Sequence, residues 1–549
     1  MKRNLIVAAL AGFGLLLGCG KNPTTASGTK TPGGDLLLRS HFIGTAGLFT
    51  DTNAAKLKEI WALPSSSAFR DQTLTKLARA PFLTVSNQLP KAASDQAALF
   101  RPLLDDLLVA ESFTEWRGPA GGPTEFALAI RLGDERAQVW QTNLWQVMQG
   151  WNPAPPVSAK IEKLDGWEAK IVAGPNQFSF VRAGQWVVVG LGQGPLTLRS
   201  NLLQKIQSGG RPVAVAQNYW LDAEGDLERW KPWLPALAPY QLPAAHLTLS
   251  NKADYVRTTL KLATKTPHGW KYEPWLMPTN LIGDPLVGFT AAQGIAPLLK
   301  PLASFQKLEM NPVPNQFTVW SQSGLPFLQY ASVPSQKVPE QLKRLVKPLS
   351  AELFATNGAS TRRALGSIDF EPSRSRVVWK GLPYIVPALQ PLKIGSQEFI
   401  VGELFPATFR SNSAPPELFG QVVGRTNLAY YDWEITQEQI TRWRALHQLG
   451  EIISGRHISS TNLASQKWVR TVAPFLGNAA TEVTVTSPTE FTLVRKSHLG
   501  LTGFELIALS RWFESVEFPN YGYYPLQPRR TLPPKRVPPS GPAVVPPNK

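Results

Sequence analysis

In this sequence, the stretch whose residue types and spacing come nearest to chemistry is Tyr430-Tyr431-Asp432-Trp433-Glu434. On a β-strand, residues two apart share a face. Asp432 and Glu434 therefore stand together, with Tyr431 and Trp433 on the opposite face. Side chains so placed sit roughly 6–7 Å apart. That spacing suits an acid pair flanking a glycosidic bond, and it equally suits an exposed edge leading into a helix over 438–449. The other adjacent acids, Asp105 and Asp106, lie in the helix pattern LLDDLLVAE. Neighbours on a helix point roughly 100° apart, which makes them a poor dyad.

Other candidates fail on spacing. Gly190-Leu191-Gly192-Gln193-Gly194-Pro195 follows an apolar strand and precedes a helix-like run. Amides at such a turn can cradle a phosphate. Its third glycine falls one residue early and no βαβ unit surrounds it, so it reads as a strand-to-helix turn. Ser304-Phe305-Gln306-Lys307 fits S-x-x-K but lacks the K-T-G and S-D-N of acyl-transfer enzymes. The six histidines form neither H-x-H nor H-E-x-x-H, and no G-x-S-x-G elbow occurs. No metal site, cofactor or catalytic residue is therefore assigned from the sequence.

The 18 tryptophans are the unusual feature. Exposed indoles stack on sugar rings or enter acyl chains. Trp220, Trp230, Trp433 and Trp443, with Asp432 and Glu434, are the candidate ligand-binding residues. Most of the others read as core: Trp140, Leu144, Val147, Met148 and Trp151 form one helical stripe.

The elements that position these residues suggest a duplication. Trp220 to Trp230 and Trp433 to Trp443 both fit W-x6-[LI]-x-R-W. Phe42-Ile43-Gly44 and Leu48-Phe49-Thr50 recur as Leu281-Ile282-Gly283 and Gly288-Phe289-Thr290. A strand around Phe126–Ile130 leads into a helix over 134–151, as Phe327–Val333 leads into 338–354. HLTLSNKADY (246–255) and EVTVTSPTEF (482–491) both read as β-hairpins. The short turn Arg182-Ala183-Gly184-Gln185 favours antiparallel sheets. The expected fold class is α+β, with two related lobes at 36–280 and 281–515, each of antiparallel strands and packed helices. Thr502-Gly503-Phe504-Glu505 reads as a capping box opening a last helix.

Outside the lobes the chain has a different character. Residues 1–18, MKRNLIVAALAGFGLLLG, combine Lys2 and Arg3 with an apolar run of signal-peptide length. Leu16-Leu17-Gly18-Cys19 follows, and Cys19 is the sole cysteine of 549 residues. A single cysteine excludes a disulfide framework and thiolate zinc clusters. This motif resembles the lipobox of bacterial lipoproteins. The resemblance implies cleavage before Cys19, acylation of that residue, and anchoring in the cell envelope. By analogy with sorting in that family, Gly20 after the cysteine implies the outer membrane, with the body facing the periplasm. Residues 19–35 read as lipid anchor and flexible tether. Residues 516–549 read as a Pro-rich basic tail, with nine prolines among the last 25 residues.

The formal net charge of +17 suits anionic lipid or glycan, or an acidic envelope protein, as partner. In that compartment nucleic acid is not an expected partner. The body, with its Phe504-Glu505-Leu506 and Tyr431–Thr436 stretches, resembles large envelope lipoproteins for which no activity is established. The leading expectation is a non-catalytic, membrane-anchored binding or scaffolding module. The alternatives are a periplasmic carrier of lipid or another hydrophobic ligand, and an envelope hydrolase acting on glycan or peptide.

Overall fold

The computed structural model describes residues 35–519, except 86–95, 120–121, 153, 172–175, 214–218, 233–236, 270–271, 356–365, 406–411, 414–415, 454–462, 516–517. The lipobox with Cys19, most of the tether and most of the tail lie outside the described residues. The protein is α+β, and its described residues form one large antiparallel sheet of 20 strands.

Ten strands come from the first half of the chain: β1 (Leu36–Phe42), β2 (Ser112–Arg117), β3 (Glu125–Arg131), β4 (Val157–Ile161), β5 (Leu164–Lys170), β6 (Asn176–Ala183), β7 (Trp186–Gln193), β8 (Leu221–Asp226), β9 (Ala244–Lys252) and β10 (Tyr255–Ala263). Ten come from the second: β11 (Leu286–Gln293), β12 (Gln316–Gln322), β13 (Gln329–Ser335), β14 (Ser367–Glu371), β15 (Arg376–Lys380), β16 (Ala388–Ile394), β17 (Gln397–Glu403), β18 (Leu428–Ile435), β19 (Asn478–Ser487) and β20 (Glu490–Ser497). From one edge, the first half runs β4-β5-β6-β7-β3-β2-β1-β8-β9-β10. From the other edge, the second half runs β14-β15-β16-β17-β13-β12-β11-β18-β19-β20. The halves meet where β10 pairs with β20, from Val256 opposite Ser497 to Ala263 opposite Glu490. A separate two-residue pair joins Gly283–Asp284 to Asn412–Ser413.

The longer helices are α1 (Ala55–Ala62), α2 (Pro64–Val85), α3 (Ala97–Val109), α4 (Asp134–Trp151), α5 (Thr197–Gly209), α6 (Val338–Ala355), α7 (Thr436–Ile453), α8 (Ala464–Val472) and α9 (Gly503–Glu514). Helix α4 buries the stripe read from the sequence, namely Ala137, Trp140, Leu144, Val147, Met148 and Trp151. Asp134 and Glu135 in its first turn complement the helix dipole. That stripe packs on Phe126, Leu128, Ile130 and Trp167 of the sheet. Ala127, Ala129, Val181 and Val188 point the other way, onto Leu198, Leu202 and Ile206 of α5. Helices thus cover both faces of β3 and β7, so their sequences are apolar throughout rather than alternating.

The helices cross the midline of the chain. Phe69 of α2 stacks on Trp468 of α8, with ring centroids 5.2 Å apart. Lys76 donates to the carbonyls of Phe513 and Glu514 at the end of α9, at 3.0 and 2.7 Å. No helix among the described residues is long and apolar enough to cross a membrane.

Two sequence matches fall on different elements. Leu48 ends a short helix and Phe49 caps it, whereas Gly288-Phe289-Thr290 lies within β11. Three-letter matches between apolar segments carry too little information to fix register. In the tryptophan motif, Trp220 precedes β8 but Trp433 lies inside β18, and Trp230 ends a short 3₁₀ turn while Trp443 sits in α7. The strand–helix and hairpin matches do fall on like elements: β3–α4 with β13–α6, and β9–β10 with β19–β20.

Candidate functional site

The site forms where β11 and β18 meet under the start of α9. Two cross-strand rows build its floor. One runs Val319, Thr290, Asp432, Thr481, Arg495 and Thr258 across β12, β11, β18, β19, β20 and β10. The next runs Gln329, Ser321, Gly288, Glu434 and Ala479. Strand alternation aims Phe289, Trp320 and Tyr431 away, into an apolar core on the other face that Trp433 packs against. Asp432 and Glu434 thus share a face, as their spacing requires.

Helices α7 and α9 close the site from above. Gln439 of α7 crosses β11 at Gly288, donating to Ser321 Oγ at 2.8 Å. A side chain at Gly288 would collide with the Gln439 amide. Thr502 caps α9 through a capping box with Glu505. Arg495 holds that box to the sheet, donating to Glu505 Oε2 and Oε1 at 2.6 and 3.0 Å and to Thr481 Oγ1 at 2.9 Å. Between these elements lies a cleft of about 260 Å³ that Asp432, Glu434, Tyr430, Arg495, Trp443 and Phe504 help to line. Trp443 and Phe504 meet edge to face at 4.9 Å. Phe504 is 53% exposed, at the rim.

The two acids are held tightly. Glu434 is only 5% exposed. Its Oε1 accepts the Gly503 amide at 2.7 Å and the Thr436 hydroxyl at 3.0 Å. Asp432 Oδ1 accepts the Thr290 hydroxyl at 2.7 Å. The second oxygen of each carboxylate takes no hydrogen bond among the described residues. Burial pushes the Glu434 carboxyl up to about 7, and the nearby Asp432 charge adds to the rise against the Gly503 amide. Burial also raises Asp432, against the Thr290 hydrogen bond. Burial likewise raises the Tyr430 phenol.

The six residues singled out in the sequence separate into two places. Asp432, Glu434 and Trp443 border this cleft, and Trp433, on the same strand, packs against the apolar core behind the sheet. Trp220 and Trp230 do not: both are buried in the first half. Trp220 donates to Asp51 Oδ2 at 3.2 Å, and Trp230 donates to the Leu37 carbonyl at 3.0 Å and packs on Trp116. Their N–H groups are spent on packing, because a buried indole needs an acceptor. Sequence reading missed Arg495, Thr290, Gln439 and Ser321. They are spread from residue 290 to residue 495, and strand register brings Thr290, Ser321 and Arg495 to the acids while α7 carries Gln439.

The glycine-rich segment does not form a phosphate-binding loop. Gly190 and Gly192 lie inside β7. The N-terminus of α5 already receives a carboxylate: Glu125 accepts the Leu198 amide at 2.5 Å and the Thr197 hydroxyl at 2.8 Å. A second cleft, of about 350 Å³, opens beside Arg131, Trp186 and Arg211. Both arginines face Glu111, at 3.6 and 3.9 Å. Among the described residues no group of three or more His, Cys, Asp or Glu could hold a metal. Comparison with protein-family models, curated proteins and solved structures finds no match for this chain.

Proposed function

We propose that this chain is a membrane-anchored envelope lipoprotein that binds a small polar group in the cleft at Asp432 and Glu434. The buried Glu434, with one carboxylate oxygen unpartnered in a cleft walled by Trp443 and Phe504, carries the reading. Ligand pockets combine apolar walls with a few convergent polar groups. A volume of about 260 Å³ admits one ring or head group and not an acyl chain, which weighs against the carrier. The Cys19 lipobox supports the anchor, and the outer membrane facing the periplasm is the proposed location.

We also infer an internal duplication into lobes at 36–280 and 281–515. The strand order repeats when each half is read from its own edge. The hairpin match equates Thr258 with Val494 and Thr259 with Arg495. The joining ladder pairs Thr258 with Arg495 and Thr259 with Val494, so exchanging the copies maps it onto itself. Across that axis the ladders place Gly225, partner of Ala245, at the counterpart of Asp432, partner of Thr481, so the acid pair is not repeated. One copy alone carries the site.

One observation favours a second reading, hydrolysis of a glycosidic bond: a carboxyl held near 7 suits a proton donor. Binding needs only an acceptor oxygen on each acid and an apolar wall, all of which the cleft supplies, and is the stronger reading.

Native mass spectrometry of the full-length protein, extracted from envelopes in mild detergent, tests both halves of the proposal. The expected spectrum shows covalent acyl mass, absent from Cys19→Ser, and a non-covalent adduct, absent from a Glu434→Gln, Asp432→Asn double variant. A chain retaining residues 1–18 with a free thiol overturns the anchor. An adduct unaffected by the double variant overturns the site.

A further inference from the structure

We propose that the group taken up by this cleft is a protonated amine, held between the free oxygens of Asp432 and Glu434 under Trp443 and Phe504. The inference rests on the cleft being the ligand site. It follows from asking which polar atoms there remain unused.

Three carboxyl groups and one guanidinium line the cleft: Asp432, Glu434, Glu505 and Arg495. The cation is already occupied. Arg495 spends both terminal nitrogens on Glu505, one of them also on the Gly500 carbonyl at 3.2 Å, and its Nε on Thr481. No open fork is left for a carboxylate or phosphate. Glu505 is occupied too, since Oε2 also accepts the Thr502 amide at 2.9 Å. The hydroxyls of Thr290 and Thr436 donate to the two acids. The Gln439 amide is held by Ser321 Oγ and, at 3.4 Å, by the Val287 carbonyl.

Among the charged side chains the unused capacity is therefore one oxygen on Asp432 and one on Glu434; the Tyr430 hydroxyl, the Gln329 amide and the Trp443 N–H complete the polar lining. Both carboxylate oxygens are acceptors when ionised. They sit side by side at the base of the cleft, and Glu434 is 5% exposed. An anion brought here meets like charge in a poorly solvated place. An ammonium group supplies three donors and the missing counter-charge. The rim suits the same guest. The rings of Trp443 and Phe504 border the opening, where aromatic faces attract cations and cover the carbon skeleton behind the nitrogen.

Proton linkage follows. A bound cation favours the ionised form of Glu434, so uptake expels a proton near neutral pH. Affinity then rises with pH as Glu434 ionises.

The test is isothermal titration of the full-length protein in mild detergent with cyclohexylammonium and, separately, cyclohexanol. The two rings match in size and differ in charge. We expect cyclohexylammonium to bind at least about tenfold more tightly, the scale of one unscreened charge contact. We also expect proton release that varies with buffer ionisation enthalpy, and tighter binding at pH 8 than at pH 6. In Glu434→Gln, which keeps an oxygen for the Gly503 amide, the preference and the proton release should fall together. Equal affinity for both probes, lost in Trp443→Ala, would overturn the charge assignment and leave the cleft as the binding site. Preference for cyclohexanol, or no binding of either, also overturns it, and the mass-spectrometric adduct then judges the cleft separately.

Discussion

Glu434→Gln is expected to stabilise the protein above pH 7 and to leave its stability unchanged near pH 4. In the folded chain the Glu434 carboxyl titrates at about 7, against an ordinary value of 4.5. Between these values the folded state holds a proton that the unfolded chain has released. Stability therefore falls as pH rises through that window. At 1.36 kcal/mol per pH unit, the full effect is about 3 kcal/mol. Glutamine removes the titration but keeps an acceptor for Gly503 and Thr436. Urea unfolding of both proteins at pH 4, 6 and 8 measures the difference. A variant less stable than the parent by the same amount at every pH would show that the carboxylate is a net stabilising contact, with no burial penalty to relieve.

Trp167→Ala is expected to cost about 3–5 kcal/mol, the range for deleting a large buried aromatic. Trp167 is 1% exposed and stacks on Phe178 and Phe180, with centroids 5.3 and 5.7 Å away. Trp145 meets it edge-on at 5.5 Å. Among the described residues its indole nitrogen makes no hydrogen bond, so Trp167→Phe loses volume but no polar contact and should cost markedly less. Denaturant midpoints for the three proteins check the ordering. Equal losses for Ala and Phe would mean that shape, and not buried area, governs this layer.

Local patterns in the sequence lead directly to local structure here. The α4 stripe, the Thr502 capping box, the hairpin turn at 182–185 and the shared face of Asp432 and Glu434 each depend on residues within one or two turns or strands. Non-local features were less legible. Trp220 and Trp230 look as available as Trp433 and Trp443 in a one-dimensional motif, because burial depends on what the rest of the chain lays over them. The acceptors that spend their N–H groups, Asp51 and the Leu37 carbonyl, lie well over 100 residues away. Arg495 and Thr290 join the site only through ladders between β11, β18, β19 and β20, and pairing partners are not written in strand periodicity. The interlocking of α2 with α8 and α9 is invisible for the same reason: each helix shows an apolar face, and nothing local names the face it meets.

The site also breaks a local rule. Buried carboxylates are rare unless paired with a cation, and the cation nearest these acids, Arg495, is engaged by Glu505. An ionisable pair kept in a cleft without its own counter-charge is costly for folding, and function is the usual reason such a cost persists.

The most direct measurement is the carboxyl carbon titration of Glu434 by nuclear magnetic resonance. The protein would carry ¹³C only in glutamate, and the signal is assigned by its absence from Glu434→Gln. A midpoint of about 7 in the free protein, moving to lower pH with saturating cyclohexylammonium, is the result expected from a buried acid awaiting a cation. A midpoint at the ordinary 4.5, unmoved by the amine, would contradict both the burial and the binding assigned to this cleft.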